Sequence, residues 1–361
     1  MNEPKISGQK RSHTAFALLL ISLLLILAAS IVLSMSFGDM DIAPSHVYAI
    51  LLEKLFGVTV GGGNLTGQLS EVNIIWEIRL PRVLLGVAAG AGLSLCGMVM
   101  QAAVQNPLAE PYILGISSGA SLGATFSLLL GIGSFQFLAV SGVAFWGFLG
   151  AISATVAVLS LASAGSKMTS TKLVLAGTVI NALCTALSNF IIFMASNAEG
   201  MQDVKFWTMG SLAGAKWGSI GVPMVVCGLS VVFFSLQYRP LNTMLLGDEA
   251  AVTLGLNIVG YRRIYMLVCA ILTGVLVANC GIIGFVGLII PHIMRSLTGA
   301  DHRRLTPLCV LGGAIFLVWA DAFARSAIQN SQLPIGIVTA LVGAPFFVYI
   351  LVRKSYTFHG N

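Results

Sequence analysis

Four groups of residues in this sequence have the types and spacing to do work in an apolar setting. In "WADAFAR", Asp321 and Arg325 stand four apart and share one helix face. They either neutralise each other or leave Arg325 free to join Arg79 and Arg82 of "IRLPR" in a basic set that attracts an acidic partner. Snorkelling to lipid headgroups is the plainer use of the same arginines. Between residues 173 and 194, Thr178, Asn181, Thr185, Ser188 and Asn189 place most of their polar groups on one helical face. Such a stripe glues helices together or lines a wet lumen. Hydroxyls and amides without a ladder of carboxylates suit a large solute better than a proton or sodium relay. "GFVGLIIPHIMR" (284–295) holds Pro291 beside His292, where a lone histidine reads as a structural hydrogen-bonder before it reads as a ligand.

The fourth group is "NPLAEPYILGISSGA", residues 106–120, which sets two prolines, an amide, a carboxylate, serines and glycines between two long apolar runs. Broken polar backbone is tolerated at membrane depth only where protein covers it or water reaches it. Pro107 and Pro111 remove donors and bend the chain. The stretch is therefore a tight hairpin or the mouth of a pathway.

Catalytic and metal chemistry has no comparable set. Cys96, Cys184, Cys227, Cys269, Cys280 and Cys309 all lie in apolar runs without a CxxC pair or a Cys/His cluster. The dipeptide Gly-Lys never occurs, so no phosphate-binding loop is present. The expectation is no catalytic residue, no metal and no cofactor bound by this chain.

The elements that position these groups follow from composition. Of 361 residues 57% are hydrophobic and 9% charged, against a usual charged share of about 25%. This is an all-α, polytopic membrane chain, and its charge of +6 is not a nucleic-acid footprint. A span needs roughly 20 apolar residues. Ten are expected, near 14–36, 82–104, 112–132, 138–162, 172–196, 217–238, 262–280, 282–298, 305–327 and 334–352. Residues 1–13 form a tail and the first span stays uncleaved. Residues 37–81 make a loop, with a short amphipathic helix over 42–57 and a Gly/Asn-rich turn at 61–67. Residues 239–257, around Gly247, Asp248 and Glu249, form two short helices or a plain loop.

Charge sets the orientation. Ten spans put 13 of the 19 lysines and arginines on the side that holds both termini and leave six on the other. That side is the cytoplasm, and residues 106–111 fall on it.

Taken together, these segments resemble the FecCD family, the permease subunits of ATP-driven importers for iron-siderophores, haem and cobalamin. The resemblance rests on "IRLPRVLLGVAAGAGLSLCGMVMQ" (78–101), the 106–120 stretch, "GDEAAVTLGLN" (247–257), "GIIGFVGLIIPHIMR" (281–295), "ADAFAR" (320–325) and "LPIGIVTALVGAPFFVYIL" (333–351), in family order. It implies one transmembrane permease domain over 1–361 in the bacterial cytoplasmic membrane. It also implies a dimer with a second copy or a sister permease, two cytoplasmic ATPase subunits that use the ATP, and an extracytoplasmic solute-binding protein.

By the same resemblance, Arg79, Arg82 and Arg325 dock the binding protein, and Asn106, Pro107 and Leu108 form a cytoplasmic gate. Thr178, Asn181, Thr185, Ser188 and Asn189 line the translocation path. Leu246, Gly247, Asp248, Glu249, Ala250, Leu254 and Gly255 belong to coupling helices within 239–260 that meet the ATPase. Spans two to five and seven to ten are expected as halves of opposite orientation. A ferric siderophore leads as cargo, with haem, cobalamin and molybdate as alternatives. An ion-coupled secondary transporter is the competing class, with Asp321 as its only good carboxylate. A membrane enzyme is disfavoured for want of a converging site.

Overall fold

One helix, α4 (Leu80–Val104), runs through the centre of the protein with nearly every residue buried. Its sequence suits that place. Helices in an apolar solvent gain little from hydrophobicity and pack through small residues that let backbones approach, and α4 carries seven Ala and Gly residues within Gly86–Gly97. A Cβ at Gly90 would stand 2.1 Å from the Gly313 carbonyl oxygen, and one at Gly97 only 2.0 Å from that of Gly287. These two crossings admit no side chain.

The computed structural model describes residues 5–38, 40–58, 69–131, 142–164, 168–195, 197–328 and 331–353. In chain order the other helices are α1 (Lys5–Ser34), α2 (Pro44–Phe56), α3 (Leu69–Asn73), α5 (Ile116–Leu130), α6 (Gly142–Ser163), α7 (Ser170–Met194) and α8 (Ala198–Thr208). They continue with α9 (Trp217–Leu236), α10 (Tyr238–Met244), α11 (Asp248–Thr253), α12 (Ile258–Cys280), α13 (Val286–Thr298), α14 (His302–Ser326) and α15 (Ile335–Arg353). Helices α9, α12, α13 and α14 surround α4, while α5, α6 and α7 form a second group joined to the first through α12. The α1 helix lies on the outside of α14. No strand occurs among the described residues, only an isolated bridge between Ile328 and Ser331.

Seven helices are long and apolar enough to cross a membrane, and three shorter apolar ones stand where the third, eighth and tenth spans were expected. The short ones have local causes. The third begins as a 3-10 turn, Pro111–Leu114, that ends on Gly115 with φ +73° before α5 starts. In the eighth, residues 281–285 are not helical and Phe285 sits at φ +69°, so α13 keeps 13 residues.

The polar segment before the second span is shorter than its charges suggest. Helix begins at Leu69, passes through a π-helical turn over Ile74–Arg79 and enters α4 without a break. Arg79 and Arg82 therefore stand within a helix. Ile75 and Leu80 anchor this extension in a small cluster with Met35, Val47, Ile50 and Val318, a packing that Glu71, Glu77 and Arg79 mask in a hydropathy window. Two further differences concern element ends. The expected tail is helical from Lys5, and α8 had no counterpart in the sequence reading. The 61–67 turn lies outside the described residues.

Candidate functional site

At one end of the bundle the three singled-out arginines come together, but inside the protein. The Arg82 Nε lies 3.0 Å from both Asp321 carboxylate oxygens, and its Nη2 lies 2.9 Å from Oδ1. Its Nη1 donates to Gln332 Oε1 at 2.7 Å. Arg325 Nε reaches Asp321 Oδ2 at 3.0 Å, and its two terminal nitrogens donate to the Phe37 and Ser34 carbonyls. Arg79 donates to the carbonyls of Met35 and Met40. Each arginine is 5% exposed and Asp321 2%. The i,i+4 spacing of Asp321 and Arg325 therefore does produce a pair. Arg82, which α4 brings alongside α14, completes a shared carboxylate, and Arg79 and Arg325 also tie the carbonyls of Ser34, Met35, Phe37 and Met40 to the helix ends. None of the three is laid open as a surface arginine.

The opposite end of α4 carries the proline-broken corner. Gln105 closes the helix at φ +54°. Asn106 then folds the next residues on itself, its side-chain oxygen accepting from the Leu108 N–H at 2.9 Å and its carbonyl from Ala109 N–H at 3.0 Å. Beyond it the corner packs on the other broken segment. Glu110 Oε1 accepts from the Phe285 N–H at 3.0 Å, and the Tyr112 hydroxyl both donates to the Ile283 carbonyl and accepts from the Ile283 N–H. Burial pushes the Glu110 carboxyl up to about 7, against the pull of the Phe285 N–H. The corner is thus more than a plain hairpin: side chains of one interrupted helix satisfy backbone groups that the other leaves open.

The stripe on α7 divides. Asn181 works as glue, accepting from Ser118 Oγ and donating to the Tyr112 carbonyl. Thr178 turns back onto the Val174 carbonyl. Thr185, Ser188 and Asn189 line a cavity of about 370 Å³ between α5, α7 and α8, together with Ser118, Ser121 and Lys205. Ser188 Oγ is buried there without a hydrogen-bond partner.

Comparison with known proteins assigns the chain. The FecCD transport family model matches residues 23–353. The chain belongs to the FecCD transport family. This FecCD permease is 37% identical over 334 residues to the uncharacterized ABC transporter permease protein YvrB of Bacillus subtilis, covering 91% of each chain. It is 35% identical to the vitamin B12 import system permease protein BtuC of Citrobacter koseri, over 93% of this chain and 94% of that one. A solved structure described as an inward-facing ABC transporter of metal-chelate type superposes with a TM-score of 0.76 at 30% identity, over 93% of this chain and 99% of that one. PsaBC of Streptococcus pneumoniae, at 15% identity and a TM-score of 0.51, shares the fold alone.

In the FecCD permease, residues 238–253 form two short helices on either side of Gly247, which takes φ +101°. Residues 258–260, at the end of the expected 239–260 segment, already belong to α12. Leu246 and Leu254 are exposed, as is Val252, whereas the half-buried Asp248 is held by partners from the bundle. It pairs with Arg262 (Nη2 to Oδ1, 2.9 Å) and accepts from Gln105 Nε2 at 2.8 Å. Asn242 of α10 bonds both Asp301 and His302 at the start of α14. Sequence reasoning did not find Gln105, Glu110, Arg262 or Asn242. Arg262 is the one with a signal: an arginine at the start of an apolar span asks for a partner.

Proposed function

We propose that this chain is the translocation subunit of a binding-protein-dependent importer that carries a large metal chelate into a bacterial cell. The observation that carries this is the cavity between α5, α7 and α8, where hydroxyls, an amide and Lys205 share the lining with Ile192, Met201 and Val204, and no carboxylate is among the lining residues. Such a wall holds a polar or anionic solute weakly, as a subunit must when a separate protein captures the ligand. The ion-coupled alternative relied on Asp321, which is committed to Arg82 and Arg325.

The remaining parts follow from the same reading. The ten apolar helices cross the cytoplasmic membrane with both termini inside, as one domain, and the chain pairs with a second copy or a sister permease. Asn106, Pro107 and Leu108 close the inner mouth. Two ATPase subunits use the ATP, and each engages the exposed Leu246 and Leu254 beside Gly247, Glu249, Ala250 and Gly255; this chain itself needs no cofactor. The binding protein docks at the end holding Arg79, Arg82 and Arg325. There the guanidiniums act as a positive field beneath Met35, Phe37 and Met40 rather than as exposed pairs.

Ferric siderophores, haem and cobalamin all fit a metal-chelate cargo. Relatives named as vitamin B12 permeases make cobalamin the first to test. The experiment is ATP hydrolysis and uptake by the chain co-expressed with its ATPase and binding protein and reconstituted in lipid. Stimulation by one chelate-loaded binding protein is the expected result. Uptake driven by an ion gradient with no ATPase bound overturns the reading.

A further inference from the structure

Gln105 stands where a helix C-terminus ordinarily uses glycine, because a left-handed residue closes the helix at no steric penalty there. Holding an L side chain at φ +54° strains the backbone. A side chain kept under that strain is one that is being used. The Gln105 amide nitrogen donates to the Met244 carbonyl at 3.0 Å and to Asp248 Oδ1 at 2.8 Å. Those two acceptors bracket the Gly247 turn between α10 and α11. The next residue after Gln105 is Asn106, the first of the gate corner.

Arg262 holds the same assembly from behind. It is fully buried, and it donates to the Ala103 carbonyl at 2.7 Å, to the Met168 carbonyl at 3.4 Å and to both Asp248 oxygens at 2.9 and 3.3 Å. Ala103 offers one of the carbonyls that the end of α4 leaves unpaired, and a cation suits that end of the helix. One guanidinium therefore joins α4, α11, α12 and the segment before α7.

We propose that Gln105 is a positioning residue that ties the ATPase-facing turn at 244–248 to the gate corner at 106–108, so that the two move as one body anchored on Arg262. This rests on the reading of α10–α11 as the ATPase contact. Motion imposed on α11 then reaches Asn106 through one side chain and one peptide unit, with no flexible segment between.

Three measurements test it, and the first needs no ATPase. Spin labels at 108 and 246, both exposed positions, are placed in the full chain in nanodiscs. Their distance distribution is expected to be narrow, and to broaden in Gln105→Gly, which relieves the backbone while removing the amide. An unchanged distribution overturns the link, whatever the fate of the transport reading. In the reconstituted importer, Gln105→Gly is expected to keep its ATPase but to lose about tenfold in uptake per ATP hydrolysed, roughly 1.4 kcal/mol of coupling. A merely structural cap leaves that ratio untouched, and a wild-type ratio in the variant also overturns the proposal. A thiol cross-link between Gln105→Cys and Met244→Cys is expected to preserve uptake. A cross-linked importer that stalls refutes movement as one body.

Discussion

Glu110 accepts a hydrogen bond from the backbone N–H of Phe285, 175 residues further along the chain. The bond joins two places where a helix is broken, and it places a carboxyl where burial pushes it up to about 7 from a starting value of 4.5. Between those two values the folded protein holds a proton that the unfolded chain has released. Stability from this group is therefore complete below about pH 4.5 and declines until about pH 7, by at most roughly 3 kcal/mol and by less where solvent reaches the group. Thermal unfolding in detergent from pH 4.5 to 8 should show Tm falling as pH rises, and Glu110→Gln should flatten the profile. A flat wild-type profile would mean the carboxyl is solvated.

Asp321 is the shared acceptor of Arg82 and Arg325. Removing one partner of a buried ion pair strands the other charge and costs about 3–5 kcal/mol. Asp321→Ala is expected to lose stability on that scale, while Asp321→Asn, which keeps an acceptor oxygen, loses less. Equal unfolding temperatures for wild type and Asp321→Ala would show that the arginines find other partners.

Gly97 and Gly221 make a matched pair of substitutions. A methyl group at Gly97 meets the Gly287 carbonyl, whereas one at Gly221, within α9, meets nothing within 4 Å. Gly97→Ala should destabilise by about 1–3 kcal/mol or prevent folding. Gly221→Ala should be neutral or gain about 0.4–1 kcal/mol. Yield and Tm of the two variants in one detergent decide the matter, and similar behaviour would contradict the close crossing of α4 and α13.

Ser188 and Asn189 line the cavity, and a leucine at either position replaces a polar wall with an apolar plug. Uptake in proteoliposomes is expected to fall about tenfold, roughly 1.4 kcal/mol of added barrier, with ATPase association retained. Leu175→Ala on an exposed part of the same helix serves as the control. If the leucine variants transport normally, the path lies elsewhere.

Asn106 folds the corner through its bond to the Leu108 N–H. Asn106→Leu removes that bond and is expected to raise passive leak of a chelate from loaded vesicles without ATP. An unchanged leak would remove the corner from the gate.

Much of this protein is local and so was legible in its sequence. Apolar run length marked the spans, the i,i+4 step joined Asp321 to Arg325, and glycine at 247 divided two short helices. Those features depend on residues within a turn or two of each other. The tertiary structure decided the rest. It determined that Arg82 comes from another helix to share Asp321, and that the arginines turn inward. It showed that charged residues at 71–79 belong to a packed helix, and that the eighth span is half unwound because Glu110 and Tyr112 serve its backbone. It also placed Gln105 and Arg262 around Asp248. A buried charge or a broken helix is stable only when a partner satisfies it. When that partner lies a hundred or more residues away, periodicity and composition hold no trace of it, and helix packing alone brings the two together.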